Sequence, residues 1–117
     1  NEYRLKHKMF VYNNVNKAFS ARLSNIQYFE VYVRTIIVHV FDGDNKSFDF
    51  YGKLSELEGA YAADGFVRVG KSYLVNISNI KHIDKDGLYM MNGDYISMGR
   101  SVRAKVIEAY MDYLSGR

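Results

Sequence analysis

Phe66-Val67-Arg68-Val69-Gly70-Lys71-Ser72-Tyr73-Leu74-Val75-Asn76 is the stretch from which the rest of the chain can be read. Two runs of strand length, rich in Val, Phe and Tyr, flank a polar step that contains a glycine. The sequence on both sides keeps this style, with short β-branched and aromatic runs cut by turn residues. Upstream, Lys8 to Tyr12 and Ala18 to Leu23 flank Asn13, Asn14 and Asn16 and read as the arms of a hairpin. Ile26 to Val33 alternates loosely. Ile36 to Phe41 is nearly all apolar, which predicts a buried central strand, with His39 a satisfied core histidine rather than a metal ligand. Asp42-Gly43 marks a turn, and Phe48, Asp49 and Phe50 alternate as a half-exposed strand would.

Helical spacing occurs twice. Leu54, Leu57 and Tyr61 are helically spaced, and Ser55 with Glu58 forms an S-x-x-E pattern that predicts a capping box and a helix starting at Ser55. Asp64-Gly65 ends it. Val102, Val106, Tyr110 and Leu114 predict a second amphipathic helix from about Ser101. Between the helices, Ile77, Ile80 and Ile83 anchor a polar loop on the core. Asp86-Gly87 and Asn92-Gly93 are hairpin dipeptides, so Leu88 to Met91 and Tyr95 to Met98 complete a three-stranded meander. The expectation is a mainly β fold with two short helices, in which Phe66, Tyr73, Leu74 and Val75 enter the core and Asn76 braces backbone.

The chain has 117 residues, 48% hydrophobic and 25% charged, with no cysteine and no proline. That suits one hydrophobic core and argues against disorder. No apolar run approaches the roughly 18 residues of a membrane span. The lack of cysteine excludes disulfides, thiolate metal sites and Cys nucleophiles, and a reducing, cytoplasmic location is expected. H-E-x-x-H, P-loop, G-x-S-x-G and EF-hand patterns are missing, and His7, His39 and His82 have no ligand spacing. Asp42, Asp44 and Asp49 read as acids of a solvated turn, since Lys46 intrudes and no glutamate completes a calcium loop. Neither a catalytic set, a metal nor a cofactor is expected, and the chain does not read as an enzyme.

The formal net charge of +3 conceals segregation. Residues 1–22 carry Arg4, Lys6, Lys8, Lys17 and Arg22 against Glu2, whereas 42–64 carry six acids against Lys46 and Lys53. Residues 66–82 have three basic residues and no acid, and Arg100, Arg103 and Lys105 fall together. One basic face and one acidic face would give this pattern, as would ordinary scatter. Cations in the first turn of a helix oppose its macrodipole, so Arg103 and Lys105 are locally unfavourable unless an anion compensates them. Free amides at the same helix start attract a phosphate, which makes Ser101 to Lys105 a plausible clamp. Alternatively both side chains simply point into water, at a cost of a few tenths of a kcal/mol. At Gly70-Lys71-Ser72 the glycine permits positive φ or close approach, and Lys71 and Ser72 offer donors to phosphate oxygens; a plain tight turn explains the glycine equally well.

These same residues resemble the LytTR-type DNA-binding domain, the output module of many bacterial response regulators. The resemblance runs through Ile26-Gln27-Tyr28-Phe29-Glu30, Phe50-Tyr51-Gly52-Lys53-Leu54-Ser55-Glu56-Leu57-Glu58, Phe66-Val67-Arg68-Val69, Lys71-Ser72-Tyr73-Leu74-Val75-Asn76 and Asn92-Gly93 to Arg100. It implies small, mostly antiparallel sheets whose loops enter double-stranded DNA. It also implies contacts from Arg34 and Thr35, from Lys71 and Ser72, and from Arg100 and Ser101, usually on promoter direct repeats with a second copy alongside. Gly70 stands where many members carry His or Asn, and Arg100-Ser101 replaces what is often a pair of basic residues. Arg34 and Arg100 suit guanine reading, because an arginine fork can bond O6 and N7 together. Lys71, Arg103 and Lys105 suit phosphate contacts.

On this reading residues 1–117 are a single output domain excised from a longer regulator with a receiver or sensory domain, making no membrane contact. The rival expectation is a small β-rich protein-interaction module that uses its eleven tyrosines and has no nucleic-acid partner. Single-strand binding by aromatic stacking is a third.

Overall fold

A computed structural model describes residues 8–116. Glu2, Arg4 and Lys6, counted above with the basic opening segment, and His7 lie outside the described residues. Strands β1 (Met9–Asn13) and β2 (Ala18–Arg22) form an antiparallel hairpin. Its turn is held by the Asn14 carboxamide oxygen, which accepts the N–H groups of Asn16 and Lys17 at 2.8 Å each. A 3-10 turn (Leu23–Asn25) leads into β3 (Ile26–Tyr32), β4 (Thr35–Phe41) and β5 (Asn45–Tyr51), followed by helix α1 (Leu54–Tyr61). Next come β6 (Phe66–Val69), β7 (Tyr73–Asn76), β8 (Ile80–Ile83), β9 (Gly87–Met90), β10 (Tyr95–Ser97) and helix α2 (Arg100–Leu114).

The largest sheet has the order β5-β4-β3-β7-β6, and β8, β9 and β10 form a separate meander. The central strand is therefore β3, not the apolar β4. In β4 burial alternates: Ile36, Val38 and Val40 are buried, while Ile37 and His39 are only half-buried. His39 stacks on Tyr28 and meets Glu30 at 2.6 Å, so it is satisfied at the margin of the core rather than inside it.

Each face of the sheet carries its own core. On one face the β1–β2 hairpin and α1 cover Phe10, Leu23, Ile26, Phe29, Ile36, Val38 and Leu74. Its rings pack edge-on and stacked, as in Phe10–Phe29 at 5.3 Å and Phe19–Phe48 at 4.6 Å. On the other face the meander and α2 cover Val69, Val75, Ile77, Ile80, Leu88, Met90, Ile96 and Val106, a mostly aliphatic set. Gly87 allows β9 and β10 to close, since a Cβ there would lie 2.3 Å from the Ile96 carbonyl oxygen.

Buried amides join the layers. Asn76, fully buried, donates to the carbonyls of Leu23 and Ile26 and accepts from Ser78, and Asn79 donates to Ser24 and Ile26. Gln27 sits where the β3–β4 register slips between Ile26 and Tyr28, and its carboxamide oxygen accepts the Asn92 N–H at 3.2 Å. The Tyr28 hydroxyl donates to Asp94 at 2.9 Å, and burial, reinforced by that carboxylate, raises the phenol pKa far above its ordinary value.

Two local expectations are corrected. Helix α1 begins at Leu54 after Lys53, and no side chain caps it. Ser55 is already inside the first turn, and Glu58 reaches away to Arg68 at 3.0 Å, so no capping box forms. Ile80 to Ile83 is strand β8 rather than loop, since pairing with β9 satisfies its backbone.

Candidate nucleic-acid interface

Antiparallel pairing of β3 with β7 sets the Tyr32 end of β3 beside the Tyr73 start of β7. The β3–β4 turn (residues 33–34) and the β6–β7 turn (70–72) therefore share one end of the sheet, and the Val31 N–H donates to the Ser72 carbonyl at 2.9 Å. Against the second turn lies the start of α2. A cleft of about 150 Å³ separates them, lined by Gly70, Lys71 and Ser72 on one side and by Ser97, Gly99 and Val102 on the other. Arg100 and Ser101 fall between two of these lining residues, in the first helical turn. Arg34 with Thr35, Lys71 with Ser72, and Arg100 with Ser101 thus lie toward one end of the sheet, although Arg34 and Arg100 are 66 positions apart in sequence.

The helix start is electrostatically open. Helix α2 follows Gly99 without a side-chain cap or an acid in its first turn. The amides of Arg100, Ser101 and Val102 precede the first helical bond, from the Arg103 N–H to the Gly99 carbonyl at 2.9 Å. Such amides carry the positive end of the helix dipole, and exposed Arg100 adds a full charge beside them.

The 70–72 turn is braced in a way the sequence pattern does not display. Arg68 Nε donates to the Gly70 carbonyl at 3.1 Å, one terminal nitrogen donates to the Lys71 carbonyl at 3.0 Å, and the other bonds Glu58 at 3.0 Å. One guanidinium therefore fastens both peptide carbonyls of the turn and ties them to α1. Gly70 takes φ +65° with open space around its Cβ position, so a larger residue is opposed there by backbone strain and not by crowding. Lys71 is exposed and Ser72 half-buried.

The β3–β4 turn is built differently. Tyr32 pairs directly with Thr35, leaving Val33 and Arg34 as a two-residue connection. Its brace is the Gly52 N–H, which donates to the Arg34 carbonyl at 3.2 Å. Val33 has φ +60°, a conformation that costs a β-branched residue about 1–3 kcal/mol. The Arg34 side chain is exposed and borders an open hollow with Tyr51, Gly52, Lys53 and Glu56.

Other cations are spent within the fold. Lys8 pairs with Asp64 at 2.7 Å, Lys17 with Asp49 at 2.6 Å and Lys46 with Asp42 at 3.1 Å. Three of the six acids of 42–64 are thus answered by lysines and Glu58 by Arg68, and Lys8 and Lys17 are not a free basic face. Lys17 also holds the Asp49 carboxyl below the usual carboxylate range, chiefly by its hydrogen bond. Arg103 and Lys105 leave the helix in different directions, since two residues of helix place them about 200° apart. Arg103 turns to the β8–β9 hairpin, where its Nε donates to the Asp84 carbonyl at 2.9 Å, while Lys105 is exposed on the opposite flank.

The sequence pattern places Arg68 in this region without its role as a clamp on the turn, and gives no sign that Lys53 lies beside Arg34. Arg68 was visible as the only cation inside the Phe66–Val69 strand, but its reach to Gly70 and Lys71 depends on the turn geometry. Among the described residues no group of three potential metal ligands occurs, and no helix is long and apolar enough to cross a membrane.

Loop tips and an open helix start, cationic and gathered at one end of a β scaffold, form a candidate surface for an anionic partner. Residues 16–111 match the LytTr DNA-binding domain family, and the chain belongs to it. Its class is therefore DNA binding, in a family that is not one of enzymes. The same fold occurs in the LytTr DNA-binding domain of a methyl-accepting/DNA response regulator from Bacillus cereus, with a TM-score of 0.68 and 22% identity over 93% of this chain and 97% of that one. No curated protein matches in sequence.

Proposed function

We propose that this chain is the output domain of a bacterial, cytoplasmic transcription regulator of the response-regulator type, and that it recognises promoter direct repeats as duplex DNA. In this reading residues 1–117 form one DNA-reading domain, joined in the full regulator to a receiver or sensory domain. The observation that carries it is the cleft where the Gly70–Ser72 turn faces the uncapped start of α2, with the β3–β4 turn beside it. Arg34 and Arg100, exposed at loop and helix tips, read guanine through paired donors. Lys71 and Lys105, the terminal nitrogens of Arg103, and the hydroxyl and amide groups of Thr35, Ser72 and Ser101 hold phosphates and set register.

The test begins with selection of bound duplexes from a random pool. Affinity for a selected and an unrelated duplex is then measured against salt. Log affinity falls linearly with log salt, and Lys71→Ala lowers that slope by about one on both duplexes. Sedimentation shows a monomer alone and two copies on a repeat probe. Salt-independent binding, or a stable dimer without DNA, overturns the corresponding part of the proposal.

A further inference from the structure

Val33 is the one non-glycine residue with positive φ among the described residues, and it is 85% exposed. It takes the first central position of the two-residue β3–β4 turn, with φ positive there and not at Arg34. Hairpin turns of that sign pattern favour glycine at this position, because a Cβ is strained there. A β-branched side chain is thus kept where it strains the backbone and contributes almost nothing to a core. Neither local propensity nor burial accounts for it.

The position defines that contact. Val33 precedes Arg34, at the sheet end that also carries Lys71 and the start of α2. Consecutive Cα atoms lie 3.8 Å apart and successive bases about 3.4 Å, so neighbouring residues at the tip address the same or an adjacent base step. Base edges in the major groove present one apolar group, the C5 methyl of thymine. We propose that Val33, held at the tip of the β3–β4 turn, is a specificity residue that packs on the methyl of a thymine next to the base pair read by Arg34. This rests on the DNA-reading role of that end of the molecule, and it assigns base recognition to an apolar side chain beside the cations.

The experiment uses the duplex selected from the random pool, with each thymine replaced singly by deoxyuridine, which removes only the methyl. For the unaltered protein, one replacement weakens binding about three- to fivefold, the loss of one buried methyl contact. Val33→Gly, which relieves the backbone, weakens binding to the thymine duplex by a similar factor and becomes indifferent to that replacement. Arg34→Ala still responds to it. Val33→Asn, also compatible with positive φ, behaves like Val33→Gly and controls for added chain flexibility. If no thymine shows the effect, or Val33→Gly remains sensitive to the same deoxyuridine, the assignment to Val33 is wrong although DNA binding stands. If no duplex is bound at all, the DNA-reading proposal fails with it.

Discussion

Neither helix has a side-chain cap at its start: α1 follows Lys53 and α2 follows Gly99. Helix α1 nevertheless has Glu56 in its first turn, a negative charge near the positive end of its dipole. Helix α2 has no acid there and instead begins with Arg100. Both dock through apolar side chains, α1 by Leu54, Leu57 and Tyr61 on the aromatic core, and α2 by Val102, Val106 and Tyr110 on the aliphatic one. Packing is thus satisfied in both, while the electrostatics of the helix start is completed from within only in α1. That difference is what the proposed function rests on: α2 lacks this stabilisation at the end that faces Lys71 and Ser72, and in that proposal a DNA phosphate supplies the missing charge.

Separating packing from charge is the most direct challenge to this contrast. Leu54→Ala empties part of the core under α1 and should cost about 2–5 kcal/mol of stability in denaturant titrations, while the folded fraction keeps its DNA affinity. A matching loss of affinity would mean that α1 also serves the interface. Arg100→Ala, at the start of α2, should do the reverse. It leaves stability nearly unchanged and costs about 1–3 kcal/mol on a selected duplex, with relaxed preference at one base pair. Equal loss on selected and unrelated DNA would make Arg100 a phosphate contact only.

Arg68 ties α1 to the turn that faces the start of α2 across the cleft. Arg68→Ala should lower stability by about 1–2 kcal/mol and weaken DNA binding, and Arg68→Lys should not restore it, because an ammonium cannot bond Glu58 and two carbonyls in one plane. Full rescue by lysine would reduce the clamp to simple charge. The smallest effects are a matched pair. Ser101→Asp should stabilise the free domain by about 0.3–1 kcal/mol and weaken DNA binding, whereas Glu56→Gln should destabilise by a similar amount without weakening it. If both changes affected binding alike, the two helix starts would be electrostatically equivalent after all.

Local chemistry made much of this legible from residue order alone. Asp86-Gly87 and Asn92-Gly93 specify the meander because tight turns need residues that tolerate unusual backbone angles. The four-residue spacing of Val102, Val106 and Tyr110 places the buried stripe of α2, although Leu114, at the end of the same stripe, lies beyond the core and is exposed. Ser55 and Glu58 misled because a capping box depends on where the chain enters the helix, and pairing of Tyr51 with Thr35 and burial of Leu54 set that entry one residue early. The apolar run of β4 suggested a central strand, but centrality depends on which strands pair on each side. That place goes to β3, whose second neighbour, β7, lies more than 40 residues along the chain.

For the candidate site, the resemblance named Arg34, Lys71 and Arg100, and their residue types indicated an anionic partner. Their convergence is tertiary, produced by the β3–β7 pairing and by the docking of α2 on the opposite face from α1. So is the sorting of the cations. Lys8, Lys17, Lys46 and Arg68 are engaged by carboxylates, and Arg103 Nε is held by a carbonyl, while Arg34, Lys71 and Arg100 remain exposed at the tips. Turn and helix preferences act over a few residues and can be read along a chain. The sign of a charge is equally local, but what it acts on depends on distance through space, which only the folded arrangement of strands determines.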